Sequence, residues 1–342
     1  MRTDCGTDQA EGLRRLLVCN QTQVISVVAG KAGVGRTSAT VNLAAALAHS
    51  GKNVLVLDEN HAPNNLQDRL GLFATYDLLD VALGKCKLRE AVLTGRGVRI
   101  LPASRAMDAV QRAESVGVPS HVPPRRSDPY ADRMRKAEQE PVTLKPEERK
   151  RLTNALTEAS DGVDVMLVDT AMPILSRVEG LVAQTATSTS LISGAALLVV
   201  VEATPSGITE SYALIKRLAT ENARQQFEIV VNKAGNEKAA MTVFENMAKV
   251  TRRNLSAHLE YLGYIPFDDR VNYAAQMGKS VIEAFPAAAS AKSYLKLSQK
   301  LLRLSMHQDE AEGGVSAIMH NLMNHVTQPA ALAQCCEVSG AG

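Results

Sequence analysis

The most informative stretch of the sequence is a glycine-rich segment between an apolar run and an apolar stretch with helical periodicity. It comprises Gly30, Lys31, Ala32, Gly33, Val34, Gly35, Arg36, Thr37 and Ser38. A glycine-rich turn from a strand into a helix lets backbone N–H groups close around phosphate oxygens, and the helix N-terminus adds positive potential. The spacing is that of GxxxxGK[ST], with Arg36 at the lysine position and Thr37 placed for a magnesium ion. The segment predicts a nucleotide-phosphate site; a tight turn that binds no phosphate is the alternative.

Lys31 makes this loop similar to the deviant phosphate loop of the MinD/ParA ATPases. The resemblance implies that this lysine reaches across a dimer interface to the nucleotide of the partner. Other segments resemble the same family, and their order and spacing resemble those of the flagellar number regulators called FlhG or FleN. These segments are VLVLDENHAPNNL from Val54, LVDTA from Leu167, EATPSGITESYALIK from Glu202, VNK from Val231 and LGYIPFDD from Leu262. The resemblance covers about residues 20–304, apart from insertions at 113–147 and 187–193.

The resemblance implies ATP and Mg²⁺ as cofactors and assigns residues to each part of the site. The implied magnesium ligands are Thr37, Asp58 and Asp169. The implied catalytic residues are Lys31, Arg36, Asn60 and Asp169. The implied contacts to the base are Asn232, which matches the family's base-reading asparagine, and the backbone at Pro266 and Asp268. For Asn232 a structural role is the alternative, because strand-terminal asparagines commonly satisfy nearby backbone groups.

Three positions depart from the family pattern in the elements that handle the γ-phosphate. Arg36 stands where the family has a lysine, and it replaces the compact ammonium group by the larger, planar guanidinium group. Asn60 stands where the family has a water-positioning aspartate, and an amide cannot accept the proton of that water. Pro173 stands where the family has a glycine, and proline has no N–H to donate. These departures predict slow or absent hydrolysis, and compensated local variation is the alternative.

The N-terminal segment resembles the DQAxxLR sequence with which FlhG proteins stimulate the signal-recognition-type GTPase FlhF. The matching residues are Asp8, Gln9, Ala10, Leu13 and Arg14. Ala10, Leu13 and Leu17 form one helical stripe, so a short helix could dock on a partner with Gln9 at its edge. An unremarkable N-terminal helix is the alternative.

The C-terminal tail contains a second apolar stripe, between residues 314 and 328. Its members are Val315, Ile318, Met319, Leu322, Met323 and Val326. The stripe resembles the membrane-targeting helix of FlhG and MinD proteins, although its polar face carries His320 and His325 and no lysine or arginine. We therefore expect a cytoplasmic protein that associates reversibly with the inner face of the cytoplasmic membrane. Packing of the stripe against the protein itself is the alternative.

The elements that must position these residues follow an alternating strand and helix pattern, which predicts a doubly wound, mostly parallel α/β sheet. Strands are predicted at 23–29, 53–58, 98–102, 163–169, 195–203, 227–232 and 259–265. The clearest helices are predicted at 37–50, 209–220, 238–255 and 288–304. The chain divides into an N-terminal segment 1–18, a nucleotide-binding domain 19–304 with a charged, proline-rich insertion 113–147, and a tail 305–342 containing the amphipathic helix 314–328.

Composition limits the competing functions. The chain has 342 residues, 45% of them apolar, and a net charge of only +2. A ParA-type partitioning ATPase would need a basic surface, which this balance does not indicate, so direct DNA binding is not expected. The five cysteines are misplaced for a cluster-binding nitrogenase-reductase relative. The remaining alternatives are a homodimeric ATPase that meets an FlhF-type GTPase, a membrane and a flagellar transcription regulator or C-ring component, and a catalytically dead scaffold of the same family.

Overall fold

The computed structural model describes residues 22–61, 65–114, 144–171, 177–178, 181–182, 196–221 and 223–304. Several sequence-based predictions lie outside these residues. They are the N-terminal segment 1–18, most of the proline-rich insertion, Pro173 and the amphipathic stripe of the tail. Within the described residues, no helix is both long and apolar enough to span a membrane.

An eight-stranded sheet forms the centre of the domain. Its strands are β1 (Gln23–Val28), β2 (Val54–Asp58), β3 (Leu93–Gly95), β4 (Val98–Pro102), β5 (Val165–Asp169), β8 (Ala196–Glu202), β9 (Gln226–Ala234) and β10 (His258–Pro266), and a separate pair is formed by β6 (Arg177–Val178) and β7 (Leu181–Val182). The spatial order is β10-β9-β8-β1-β5-β2-β4-β3. All neighbours in this sheet are parallel except β3, which runs antiparallel to β4. The doubly wound fold class predicted from the sequence is confirmed.

Eleven helices are assigned within the described residues. They are α1 (Arg36–His49), α2 (Leu66–Arg69), α3 (Leu78–Ala82), α4 (Leu88–Ala91), α5 (Ser104–Glu114), α6 (Pro146–Ser160), α7 (Pro205–Glu221), α8 (Glu237–Asn254), α9 (Arg270–Gln276), α10 (Val281–Ala284) and α11 (Ala289–Leu304). The four helices predicted from periodicity correspond to α1, α7, α8 and α11. The seven predicted strands are also present, with small changes at their ends.

Both faces of the sheet are buried, as its uninterrupted apolar strands require. Along β2, Val54 and Val56 point into the layer formed with α1 and α11, whereas Leu55 and Leu57 point into the opposite layer, against α3 and α6. A third cluster packs β8 and β9 against α7 and α8. Because helices cover both faces of the sheet, the ends of its strands are held in place. The phosphate loop follows the carboxyl end of β1, which lies beside the carboxyl ends of β5 and β8.

Candidate functional site

The phosphate loop depends on glycine at two positions where a side chain has no space. Gly35 has a φ of 94°, and a Cβ there would lie 2.5 Å from Asn232 Nδ2. A Cβ on Gly30 would lie 2.3 Å from the carbonyl oxygen of Glu210 in α7. The loop therefore packs closely against both β9 and α7. It leads into α1, whose N-terminus has no side-chain cap and no acidic residue in its first turn, so its amide groups suit an anion.

Two side chains at the end of β9 bind carbonyl oxygens of the loop. Asn232 Nδ2 donates to Val34 O at 2.7 Å, and Lys233 Nζ donates to Gly33 O at 2.7 Å. Asn232 was expected to read a base; in this arrangement its amide holds the loop. Sequence reasoning did not assign Lys233 to the site, although it belongs to the VNK segment that resembles the family. Tying these carbonyls to β9 stabilises one conformation of the loop.

Lys31 is bonded within its own chain. Its Nζ lies 2.9 Å from Ser206 Oγ and 3.9 Å from a carboxylate oxygen of Glu202. Glu202 also accepts a 2.8 Å hydrogen bond from Lys233, and this bond lowers the pKa of the Glu202 carboxyl group. Sequence reasoning did not identify Glu202 or Ser206 as part of the site, because their relation to the loop depends on the pairing of β8 with β1.

Arg36 does not extend along the loop but turns toward the end of β5. Its Nε donates to Asp169 Oδ1 at 3.0 Å, and its Nη2 donates to Asn60 Oδ1. Thr40 Oγ1 donates to the same Asp169 oxygen at 3.1 Å. Arg36 is only 8% exposed and Asp169 is fully buried. The fold thus joins three predicted catalytic residues, Arg36, Asn60 and Asp169, in one hydrogen-bonded group.

Asp58 and its neighbour Glu59 are buried at the end of β2. Asp58 Oδ2 accepts from the backbone N–H of Leu66 at 2.5 Å, and Asp58 Oδ1 accepts from Asn60 Nδ2 at 3.0 Å. Burial, with the nearby Asp169 as the second cause, raises the pKa of Asp58 to about 6. Burial also raises the pKa of Glu59 to about 7, although Glu59 accepts a 2.9 Å hydrogen bond from the N–H of Ala171. Glu59 was not identified from the sequence.

The predicted magnesium ligands do not fit Mg²⁺ in this arrangement. Mg²⁺ requires oxygen ligands at about 2.0–2.1 Å in near-octahedral geometry. Both oxygens of Asp169 accept hydrogen bonds, and one of the donors is a permanent cation. Thr37 is buried at the start of α1. Both oxygens of Asp58 also accept hydrogen bonds, from Asn60 Nδ2 and from the N–H of Leu66.

The other residues predicted to contact the nucleotide are Ser38, Pro266 and Asp268, and each makes a contact within the chain. Ser38 Oγ accepts from Arg69 Nη1 at 3.0 Å. Pro266 ends β10 opposite Ala234, at the same edge of the sheet as Asn232. Asp268 accepts a 2.7 Å hydrogen bond from Ser290 Oγ, which joins the end of β10 to α11. Burial alone would raise the pKa of Asp268, but the hydrogen bonds from Ser290 and the N–H of Arg270 lower it.

The sequence matches the CobQ/CobB/MinD/ParA nucleotide-binding domain over residues 25–281. The chain belongs to the MinD/ParA family. It is also 34% identical over 280 residues to the antiactivator FleN of Pseudomonas aeruginosa. The aligned region covers 82% of this chain and 86% of that protein. An ATP-binding protein of Methanocaldococcus jannaschii is 27% identical over 81% of this chain and 87% of its own length. The predicted FlhG (FleN) relationship is thereby confirmed.

Solved structures of MinD proteins share the fold of this MinD/ParA family member. The MinD cell division protein of Aquifex aeolicus has a TM-score of 0.55 at 21% identity and covers 82% of this chain and 97% of that chain. MinD of Pyrococcus horikoshii, determined in complex with Mg-ADP, has a TM-score of 0.55 at 20% identity, covering 84% of this chain and 99% of that chain. At this identity the likeness shows the fold alone.

Proposed function

We propose that this protein is an ATP-binding regulator of flagellar number or placement. The observation that carries the proposal is its 34% identity to the antiactivator FleN across 82% of the chain. The phosphate loop supports it, because its glycines and the N-terminal amide groups of α1 suit a nucleotide phosphate. Asn232 and Lys233 hold the loop in this conformation by donating to the carbonyl oxygens of Val34 and Gly33. ATP is the proposed ligand, and the base would lie near Asn232, Pro266 and Asp268.

ATP is proposed to act by stabilising a homodimer. Lys31 is the residue that would cross the interface, and its side chain is 41% exposed beside the loop. Its present partners are Ser206 and Glu202, so dimerisation would exchange these contacts for phosphate contacts from the partner's nucleotide. Hydrolysis is proposed to be slow, because Arg36 and Asn60 alter the side chains that the family uses for it. A scaffold of the same family without any turnover is the second candidate.

Dimerisation can be measured by light scattering after gel filtration, with ATP or ADP in the buffer. We expect ATP to double the mass of the wild-type protein and Lys31→Ala to remain monomeric. Lys52→Ala is the matched control, because Lys52 is 40% exposed and forms a similar surface ion pair with Asp164. A wild-type protein that stays monomeric at millimolar ATP, or a Lys31→Ala variant that dimerises normally, would contradict the proposal.

The proposed partners are an FlhF-type GTPase, the inner face of the cytoplasmic membrane and a flagellar transcription activator or C-ring component. The name antiactivator supports a transcription activator among them. The GTPase would be stimulated through the segment containing Asp8, Gln9 and Arg14. We expect Gln9→Ala in the full chain to reduce that stimulation at unchanged binding of ATP. Equal stimulation by both proteins would remove this partner role.

Membrane association is proposed to depend on the apolar stripe that begins at Val315. We expect truncation after Glu312 to abolish cosedimentation with anionic phospholipid vesicles while the melting temperature stays unchanged. Lower pH should strengthen binding by the full chain, because His320 and His325 gain charge near pH 6.5, roughly their ordinary pKa. Equal vesicle binding by the truncated and full-length chains would contradict this role.

A further inference from the structure

The guanidinium of Arg36 lies between the ends of β2 and β5, where the family resemblance predicted a magnesium ion. It contacts Asp169 on one side and Asn60 on the other, and it is 8% exposed. Arginine stays protonated at all physiological pH values, so this group is a fixed positive charge. A cation of the chain itself therefore contacts Asp169, one of the carboxylates that the resemblance assigned to a magnesium ion.

Asn60 is adapted to this arrangement. Its Oδ1 accepts from Arg36, while its Nδ2 donates to Asp169 Oδ2 at 2.8 Å and to Asp58 Oδ1 at 3.0 Å. An amide can accept from a cation and donate to two carboxylates at once; an ionised aspartate could only accept. An aspartate at this position would also add a further negative charge beside Asp58 and Asp169. Arg36 and Asn60 are therefore two parts of one hydrogen-bonded network.

We propose that Arg36, oriented by Asn60, is an internal cation that replaces Mg²⁺ between the two strand ends, so that nucleotide binding by this chain needs no divalent metal. The proposal rests on the proposed function, because it concerns the same nucleotide site. A divalent ion would have to displace the guanidinium from Asp169 or bind beside it against charge repulsion. The phosphate groups would be held by the loop amides and the N-terminus of α1.

The first experiment measures the affinity of the full-length protein for a fluorescent ATP analogue in MgCl₂ and in EDTA. We expect the wild-type dissociation constant to change by less than about threefold between the two buffers. The double variant Arg36→Lys with Asn60→Asp should bind at least about tenfold more tightly with Mg²⁺, a difference of about 1.4 kcal/mol. Arg105→Lys is the matched control, since Arg105 also joins two aspartates, Asp77 and Asp80, away from the loop.

The second experiment measures Mn²⁺ binding without nucleotide, from the electron paramagnetic resonance signal of the free ion. The wild type and Arg105→Lys should leave the signal unchanged, and the double variant should reduce it. If the wild type binds no ATP analogue in either buffer, the proposed function fails, and the Mn²⁺ result still decides the role of Arg36. The inference is overturned if the wild type requires Mg²⁺ for ATP, if it binds Mn²⁺, or if the double variant binds no more Mn²⁺ than the wild type.

Discussion

Two neighbouring regions of the site have diverged to different extents from the family pattern. The phosphate loop keeps its glycines, which shape it mainly through backbone conformation. The ends of β2 and β5 keep Asp58 and Asp169 but carry Arg36 and Asn60 between them. The first region presents backbone amide groups that suit an anion; the second joins its carboxylates to the side chains of Arg36 and Asn60. The proposed function therefore assigns nucleotide binding to the first region and the loss of turnover to the second.

The largest effect should come from restoring the side chains of the second region. We expect Arg36→Lys, Asn60→Asp and Pro173→Gly together to increase phosphate release by about 10²-fold or more, because each restores a group that acts on the transition state. Single reversions should do little, because Arg36 and Asn60 depend on each other. Steady-state phosphate release with and without lipid vesicles checks this. A wild-type rate equal to that of the triple variant would contradict it.

The next largest effect is expected from a substitution in the phosphate loop. Gly35→Ala should lower the free energy of unfolding by about 2–3 kcal/mol, because it combines an unfavourable positive φ with the loss of the Asn232 hydrogen bond. It should also abolish stabilisation by ATP. Gly162→Ala is the control: its φ is 64° with no atom within 4 Å, so only the backbone cost of about 1 kcal/mol is expected. Urea unfolding measures both, and equal losses would contradict the close packing of the loop on β9.

Much of this fold could be predicted from the sequence, because buried parallel strands are apolar on both faces and the helices between them are periodic. Runs such as VLVLD and LLVVVE mark β2 and β8 directly. The short helices α2 to α4 and the edge strand β3 were not predicted, since helices of four or five residues and a three-residue strand carry almost no periodicity. Their formation depends on local caps, such as the reciprocal capping of Asp77 and Asp80 at α3.

The candidate site was predictable in its residue types but not in its contacts. The loop follows from motif spacing, and Asp58 and Asp169 follow from the family resemblance. The direction of the Arg36 side chain depends on a residue 133 positions away in the chain. Glu59, Glu202 and Lys233 were not found either, because their roles arise only when β2, β8 and β9 align at one edge of the sheet.

A smaller effect is expected at Glu228, which lies in the sheet away from the candidate site. Glu228 lies opposite Glu260 on β10, and burial, followed by repulsion from Glu260, raises the pKa of Glu228 from 4.5 to about 7. The folded state thus favours the protonated form. The contribution of the protonated Glu228 to the free energy of unfolding is complete below pH 4.5 and is lost as the pH rises to about 7. We expect Glu228→Gln to reduce this pH-dependent loss by about 1–2 kcal/mol, measured by urea unfolding at pH 4.5 and 8.

The control for this prediction is nucleotide binding. Glu228 lies near the start of β9, whereas Asn232 and Lys233 lie at its other end. ATP affinity should therefore be the same in Glu228→Gln and the wild type. A variant that keeps the full pH dependence of unfolding would show that other carboxyl groups cause it.

The smallest effect concerns the side chain that holds the loop from β9. Lys233→Met removes the bonds to Gly33 O and Glu202, and we expect a loss of about 0.5–1 kcal/mol in stability, because the lysine is 37% exposed. ATP affinity should fall a few-fold. Lys279→Met is the control, since Lys279 is 36% exposed and forms a surface ion pair with Glu283. Equal effects on ATP affinity would show that the loop does not depend on Lys233.

A single-turnover experiment tests the central claim, that this site retains binding and has lost efficient turnover. Excess full-length protein is mixed with γ-labelled ATP, and bound ATP and released phosphate are measured from the same samples. We predict that ATP is retained on the protein while phosphate release stays near the rate in buffer. Release of phosphate within seconds, or failure to retain ATP at protein concentrations in the millimolar range, would contradict the account.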